Sequence, residues 1–282
     1  MADSSTPRAI KWASLPNSLE LPYVEQGDES GSPVVFLHAY ADSWRSFEPV
    51  LSHLPRSIHA FAPTQRGHSN AGRPAAGYNV EDFAHDLEAF MDVVGLEQAV
   101  LVASSSATFT VQRLAIDNPH RTRGLVLIGV PWSLRDTAVG SELPQAVFAL
   151  SDPVDPAFVR DFVASTVFGP VSPAFLETVI GESLKVPRKR NTSAEFAMCS
   201  CHQDVSVRAG KSATTMASSE VRAFATHLPI SRPYGGLRNT FPRQGSIKPS
   251  SLRVKYVRAL TGALRRLCVG EQGSRSKVPK TE

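Results

Sequence analysis

Three consecutive serines have hydroxyl side chains that could attack a carbonyl carbon. An apolar run at residues 99–102 leads into Ala-Ser-Ser-Ser-Ala at residues 103–107, and a segment compatible with a helix follows at once. This order predicts a strand, a sharp turn and a helix, with a hydroxyl at the apex of the turn. Ser105 is the central serine, and we predict it to be a nucleophile. The alternative is a polar turn that caps the helix, because serine is common at that position.

Small residues must flank such a nucleophile, because the strand and helix backbones approach each other closely. The usual pattern is Gly-x-Ser-x-Gly, and here Ala103 and Ala107 occupy the two glycine positions. Alanine is the next smallest residue, although it lacks the conformational freedom of glycine. The serine at the apex is expected in strained backbone with a positive φ.

The surrounding sequence predicts the elements that would position this turn. Apolar strand patterns lie at residues 33–37, 59–64 and 123–130. Between them, residues 43–54 have helical spacing, and Asn79 with Asp82 forms a capping-box-like pair at the start of another predicted helix. Strands that are apolar on both faces and alternate with helices predict an α/β fold, with a mostly parallel twisted sheet and helices on both faces. Ligands of such sheets bind beyond the carboxyl ends of the strands, where the serine turn and His38-Ala-Tyr40 are expected.

At these residues the sequence resembles the α/β-hydrolase family, in its cap-bearing serine hydrolase branch, over about residues 20–187. The landmarks are residues 37–40, 65–68, 103–107 and 124–129, which match in order and spacing the family's oxyanion loop, the turn after its fourth strand, its nucleophile turn and its sixth strand. The resemblance implies that the main-chain N–H groups of Tyr40 and Ser106 donate to the oxyanion.

The resemblance also assigns supporting roles near the serine. It implies that His38 props the oxyanion loop rather than acting as a base, and that Arg66 and His68 brace their turn. Trp44 is expected to pack rather than to line the pocket. The sequence departs from the family where Ala39 and Ser69 replace the usual glycines.

We expect residues 1–131 to form the N-terminal part of the hydrolase core and residues 132–187 to form a helical cap. Amphipathic spacing predicts cap helices at residues 144–150, 156–165 and 173–185. The cap is rich in aromatic residues, which could form an apolar ceiling over the serine or pack between cap and body: Trp132, Phe148, Phe158, Phe162, Phe168 and Phe175. An apolar ceiling favours a small apolar acyl substrate such as an ester.

The composition changes abruptly after the predicted cap. Up to residue 185 the chain has 12 Lys and Arg against 21 Asp and Glu, and after it 18 against 5. The family would place a Gly-x-x-Asp acid and a Gly-His base in residues 188–282, and neither pattern is present. His202 and His227 are the histidines of this part, and His227 is a weak candidate for the base.

Three interpretations of residues 188–282 compete. The region could be a divergent end that brings His227 to Ser105, a basic arm for nucleic acid or acidic membrane surfaces, or a sequence read out of frame. We favour the third, which predicts an irregular or poorly ordered region and an open edge at the sixth strand. A Gly-x-x-Asp and a later Gly-His in another frame of the coding DNA would support it, and their absence would refute it.

The sequence therefore predicts a serine hydrolase of the carboxylic ester type, with a non-catalytic small-ligand-binding protein as the alternative. Serine rather than aspartate at the apex argues against dehalogenase and epoxide hydrolase chemistry. We expect no cofactor and no metal, because Cys199, Cys201 and His202 lack a second ligand pair. We expect no nucleic-acid partner, no membrane span and, without an apolar leader, a cytoplasmic location. The sequence does not determine the oligomeric state.

Overall fold

The computed structural model describes residues 8–129, 153–167 and 171–186, the backbone of residues 222–226, and Leu264. These residues contain a sheet in the order β1-β2-β4-β3-β5-β6-β7. The strands are β1 Lys11–Ser14, β2 Glu20–Gln26, β3 Ser32–Leu37, β4 Ile58–Pro63, β5 Ala99–Ser104, β6 Thr122–Ile128 and β7 Arg222–Thr226.

The sheet is mostly parallel, as the sequence predicts. β1 pairs with β2, and β2 with β4, in antiparallel register, whereas the pairings from β4 through β3, β5 and β6 to β7 are parallel. From β3 the chain proceeds to β4 on one side, and β5 lies on the other side. This reversal opens a crevice at the carboxyl ends of β3 and β5, where open α/β sheets bind their ligands.

The helices connect these strands. They are a 3-10 helix Trp44–Phe47, α1 Glu48–Leu51, α2 Val80–Val93, α3 Ala107–Asp117, a 3-10 helix Pro119–Arg121, α4 Pro156–Thr166 and α5 Pro173–Ser183. The helical spacing at residues 43–54 predicts one helix, but the structure has a 3-10 turn followed by α1. Pro49 lies in the first turn of α1, where a missing N–H is tolerated. Because proline has no N–H to donate, it cannot continue the preceding helix.

Two apolar cores cover the two faces of the sheet. Alternate residues of β3 and β5 divide between them, so that Val35 and Leu101 face one core while Val34 and Val102 face the other. The first core includes side chains of α2 and α3, and the second includes Trp44, Phe47 and Leu264. The prediction of helices on both faces of the sheet is confirmed.

The start of α2 shows the predicted capping box. The Asn79 side chain accepts a hydrogen bond from the main-chain N–H of Asp82, and the Asp82 carboxylate accepts one from the N–H of Asn79. Two N–H groups that the helix cannot satisfy internally are therefore bonded. This fixes the start of the helix that carries Phe83, Leu87 and Phe90 into the core.

The expectation of an open edge at β6 is wrong. β7 pairs with β6 in parallel register, from Gly124 with Arg222 to Ile128 with Thr226. The sequence of β7, Arg-Ala-Phe-Ala-Thr, has two alanines and a single β-branched residue, so its intrinsic strand propensity is low. Pairing with an apolar neighbour, rather than local propensity, accounts for this strand. Apart from β7 and Leu264, residues 188–282 lie outside the described residues.

Two of the three helices predicted for residues 132–187 are confirmed, as α4 and α5. They pack against each other through Val159, Val163 and Ile180. The helix predicted at residues 144–150, with Trp132, Phe148 and Phe168, lies outside the described residues. Across the described ranges, no helix combines the length and the apolar character needed to cross a lipid bilayer.

Candidate active site

The strand, turn and helix predicted around the three serines are present. β5 ends at Ser104, α3 begins at Ala107, and Ser105 between them has a φ of 48° and an exposed side chain. Left-handed backbone is rare for a residue other than glycine. The N–H of Ser105 donates to the main-chain oxygen of Ile128 at 2.8 Å, which ties the turn to β6. The serine hydroxyl is therefore presented at the carboxyl end of a central parallel strand.

The capping alternative for this turn is not supported by the geometry. Ser106 occupies the N-cap position of α3, but its side chain makes no capping hydrogen bond. Ala103 and Ala107, which replace the usual glycines, are 0% and 1% exposed and belong to the same core. Residues this small allow β5 and α3 to approach each other while Ser105 stays at the surface.

The predicted oxyanion loop lies next to the serine turn. Leu37 at the end of β3 pairs in register with Ala103 of β5, so residues 38–43 leave the sheet beside Ser105. Tyr40 and Ser106, the predicted main-chain donors, thus belong to two adjacent segments at the carboxyl ends of β3 and β5. In the same loop, Ala41 has a φ of 55°, a second left-handed residue that is not glycine.

His38 is buried, and both of its ring nitrogens are bonded. Its Nδ1 donates to the main-chain oxygen of Ala39 at 2.7 Å, and its Nε2 accepts from the N–H of Gln65 at 2.9 Å. Burial and the nearby His68 hold the pKa of His38 well below its ordinary value of 6.5. A neutral imidazole with both nitrogens occupied cannot take a proton from a serine, which agrees with the predicted supporting role.

His68 packs beneath this loop. Its ring lies 5.0 Å from that of His38 and 6.1 Å from that of Tyr40, and its Nδ1 donates to the main-chain oxygen of Arg66 at 2.8 Å. Its Nε2 has no hydrogen-bond partner among the described residues. Burial lowers the pKa of His68 from 6.5 to about 4, so the ring is neutral at neutral pH. It supports the loop by packing.

Arg66 braces the turn after β4, as predicted, through a partner in α2 that no sequence pattern indicates. Its guanidinium bonds both oxygens of Asp86 in α2 at 2.5 Å and also donates to the main-chain oxygen of Gly77. Arg66 and Asp86 are 5% exposed each, and Asn17 donates to the same carboxylate at 3.2 Å. A buried two-point ion pair of this kind fixes geometry rather than contacting a substrate.

Trp44 packs in the core, as expected, and is 4% exposed. Its N–H group in the main chain donates to the Thr64 hydroxyl at 3.3 Å, and the Arg45 guanidinium lies 4.7 Å from the centre of its ring. A cavity of about 80 Å³ opens beside it, between β2 and the end of α5, and Ser105 is not among its lining residues.

The end of α5 contacts the loops that surround the serine turn, although no sequence pattern indicates these contacts. The Ser183 hydroxyl donates to the main-chain oxygen of Ala41 at 2.5 Å, and the Ser69 hydroxyl donates to the Glu182 carboxylate. These bonds join residues more than a hundred positions apart, so no local pattern could have indicated them. They attach the α4–α5 pair to the candidate site.

The predicted base, His227, lies outside the described residues, as do His202, Cys199 and Cys201. Thr226, its neighbour in sequence, ends β7 and pairs with Ile128, which in turn pairs with Ser104. The last residues of β5, β6 and β7 are therefore in register, at the carboxyl ends of the strands, where Ser105 lies. Within the described ranges no group of three or more His, Cys, Asp or Glu side chains could hold a metal ion.

Comparisons with known proteins agree with this architecture. Residues 32–165 match the model of the alpha/beta hydrolase fold. A hydrolase from Pseudomonas aeruginosa PA01 has a similar structure, with a TM-score of 0.65 and 16% identity, over 93% of this chain and 98% of that one. The chain therefore has the alpha/beta hydrolase fold, and its match to the family model covers residues 32–165.

Two curated relatives show how far the similarity reaches in sequence. Epoxide hydrolase A of Mycobacterium tuberculosis is 33% identical over 121 residues, which are 41% of this chain and 37% of that protein. A haloalkane dehalogenase of Mesorhizobium japonicum is 31% identical over 106 residues, which are 38% of this chain and 34% of that protein. The chain thus spans only about a third of the length of these relatives.

Proposed function

We propose that this chain is a serine hydrolase that acts on small apolar esters or related acyl compounds through Ser105. The left-handed conformation of Ser105, on the turn between β5 and α3, carries the proposal. It supports a nucleophile rather than a structural serine, because strained backbone of this kind is retained where the surrounding structure and function require it.

The reaction begins when the Ser105 Oγ attacks the acyl carbon. The carbonyl oxygen becomes an oxyanion, which accepts hydrogen bonds from the main-chain N–H groups of Tyr40 and Ser106. α3, which is eleven residues long, begins directly after Ser106. The positive end of its dipole therefore also favours the negative charge of the oxyanion. The alcohol leaves with the serine proton, and water then releases the acid from the acyl enzyme.

The base that carries this proton is proposed to be His227. The level ends of β5, β6 and β7 support a position near Ser105 for the residue that follows Thr226. His38 and His68 are poor candidates, because burial lowers the pKa of both and because His38 has both nitrogens bonded.

The apex residue distinguishes this proposal from the activities named for the two relatives. Those proteins are an epoxide hydrolase and a haloalkane dehalogenase. We propose that Ser105 directs this chain to acyl transfer instead, because a serine ester is the usual covalent intermediate of ester hydrolysis. We also propose that residues 132–187, which include α4 and α5, act as a cap over the site.

The alternative is a protein that binds a small ligand without catalysis. The absence of a Gly-x-x-Asp acid and a Gly-His base from residues 188–282 favours it. Without a base the serine hydroxyl would keep its ordinary, weak nucleophilicity.

A fluorophosphonate probe separates these two functions. We expect the full chain to be labelled and Ser105→Ala to abolish the labelling. Ser104→Ala and Ser106→Ala are matched controls that should retain it, because the proposed oxyanion donor of Ser106 is its main-chain N–H. Absence of labelling in wild-type protein with a cooperative unfolding transition would support the binding protein and refute the hydrolase.

A further inference from the structure

Two residues near the serine turn hold an unfavourable backbone conformation. Ala41, in the loop after β3, has a φ of 55°, and Ser69, in the turn after β4, has a φ of 43°. Neither is glycine, so neither relieves the steric conflict of its Cβ in the left-handed region. Such conformations persist only when contacts from the surrounding structure hold them.

The C-terminal end of α5 supplies contacts to both. The Ser183 hydroxyl donates to the main-chain oxygen of Ala41 at 2.5 Å, and the Glu182 carboxylate accepts from the Ser69 hydroxyl. Both α5 residues are buried, at 8% exposure for Glu182 and 6% for Ser183. Adjacent residues of one helix thus hold two loops that leave neighbouring strands of the sheet.

Glu182 is fixed in its ionised form. The Lys185 Nζ lies 2.7 Å and the Arg45 Nε 3.9 Å from its Oε1. Burial raises the pKa of Glu182, but hydrogen bonds from Lys185 and from two serine hydroxyls outweigh burial and hold the pKa below its ordinary value. One of these hydroxyls belongs to Ser43, which lies in the same loop as Ala41.

We propose that Glu182 and Ser183 are positioning residues for the oxyanion loop, residues 38–43. They hold Ala41 in the left-handed conformation and thereby orient the main-chain N–H of the preceding residue, Tyr40. This inference rests on the proposed function, in which that N–H donates to the oxyanion. A donor of this kind stabilises a transition state only when it is aimed in advance, so a loosened loop loses part of the effect.

Substitution of Ser183 in the full chain tests the inference. Thr178→Ala is the matched control, because Thr178 lies on the same helix but donates to Ala174 within it, at 2.9 Å. With p-nitrophenyl butyrate as substrate, we expect Ser183→Ala to lower kcat about tenfold, a part of the loss seen when a whole donor is removed, and to leave KM nearly unchanged. Ser183→Thr, which keeps the hydroxyl, should restore kcat.

Amide hydrogen exchange tests the same inference without activity. We expect residues 38–43 to exchange faster in Ser183→Ala than in wild type, and at the wild-type rate in Thr178→Ala. If wild type neither hydrolyses the ester nor reacts with fluorophosphonate, the proposed function fails, while the exchange data still decide whether α5 holds the loop. Equal exchange in both variants, or a loss confined to KM, would overturn the inference.

Ser69→Gly provides a second variant should Ser183→Ala not fold. Glycine removes the hydroxyl that bonds Glu182 and also relieves the left-handed strain, so this variant is expected to remain folded. Because it releases Glu182 from the turn after β4, exchange in residues 38–43 should again rise. Unchanged exchange there would count against the proposed role of Glu182.

Discussion

The hydroxyl of Thr108 donates to the main-chain oxygen of Ser105 over 2.6 Å, so the first turn of α3 holds the residue at the apex of the serine turn. The N–H of Thr108 donates to the same oxygen at 3.0 Å. Thr108 is fully buried. The additional hydroxyl bond offers a way to stabilise the left-handed turn where alanines replace both flanking glycines.

Removal of this hydroxyl should loosen the serine turn. We expect Thr108→Val to lower the free energy of unfolding by about 1 kcal/mol, the usual value of one net hydrogen bond. Fluorophosphonate labelling should slow with it. Thr110→Val is the matched control: the Thr110 hydroxyl is buried in the same helix and has no hydrogen-bond partner among the described residues. That change should be neutral or stabilising, and equal losses in the two variants would contradict the role of Thr108.

Removal of one partner from the buried ion pair of Arg66 and Asp86 should strongly destabilise the protein. Asp86→Asn leaves the buried guanidinium without a counter-charge, and we expect a loss of about 3–5 kcal/mol in urea unfolding. Asp117→Asn is the control, because Asp117 pairs with Arg113 at 2.5 Å but its side chain is 32% exposed. We expect less than about 1 kcal/mol there. Similar losses at the two sites would refute the bracing role of Arg66.

Asp42 should make stability depend on pH. Burial and the neighbouring Glu182 carboxylate raise the pKa of Asp42 from 3.8 to about 7, against hydrogen bonds from Ser43 and Ser46. The folded state therefore holds a proton that the unfolded state has released. This contribution to stability is complete below pH 3.8 and is lost as the pH rises through 7.

Asp42→Asn tests this dependence, because it keeps an acceptor oxygen and removes the titration. Arg45 and Lys185 pair with the same Glu182 and remain in place in this variant. Between pH 5 and pH 8 the free energy of unfolding should fall more in wild type than in Asp42→Asn. Parallel curves for the two proteins would show that Asp42 has an ordinary pKa.

Turnover requires a base, and His227 is the residue proposed for this role. If it is the base, His227→Gln should reduce both fluorophosphonate labelling and ester hydrolysis by several orders of magnitude, as the loss of the base does in serine hydrolases. His202→Gln is the control in the same region and should have little effect. Full labelling of His227→Gln would remove His227 from the mechanism and leave the base to another group.

The sequence predicted those elements whose signal is local. The apolar runs of β3 to β6, the serine turn and the pair of Asn79 and Asp82 all have short-range patterns, and the structure has each of them. The division of residues 43–54 was not predicted, because apolar spacing is the same in the 3-10 turn and in α1. Pro49, which lies within that segment, was the available signal.

The contacts between distant parts of the chain could not be predicted in this way. Asp86 and Glu182 each lie on a helix whose pattern gives no reason to expect a buried carboxylate. Their partners, Arg66 and Ser69, are 20 and 113 residues away. Likewise, β7 owes its pairing to β6 rather than to its own alanine-rich sequence.

The pairing of β7 with β6 has a consequence for shortened forms of this protein. Removal of everything beyond residue 187 would take β7 away and leave main-chain N–H and C=O groups along one side of residues 124–128 without their partners. Those groups would then be available to a strand of another molecule. A shortened chain should therefore self-associate, even though the turn that carries Ser105 is built entirely from residues it retains.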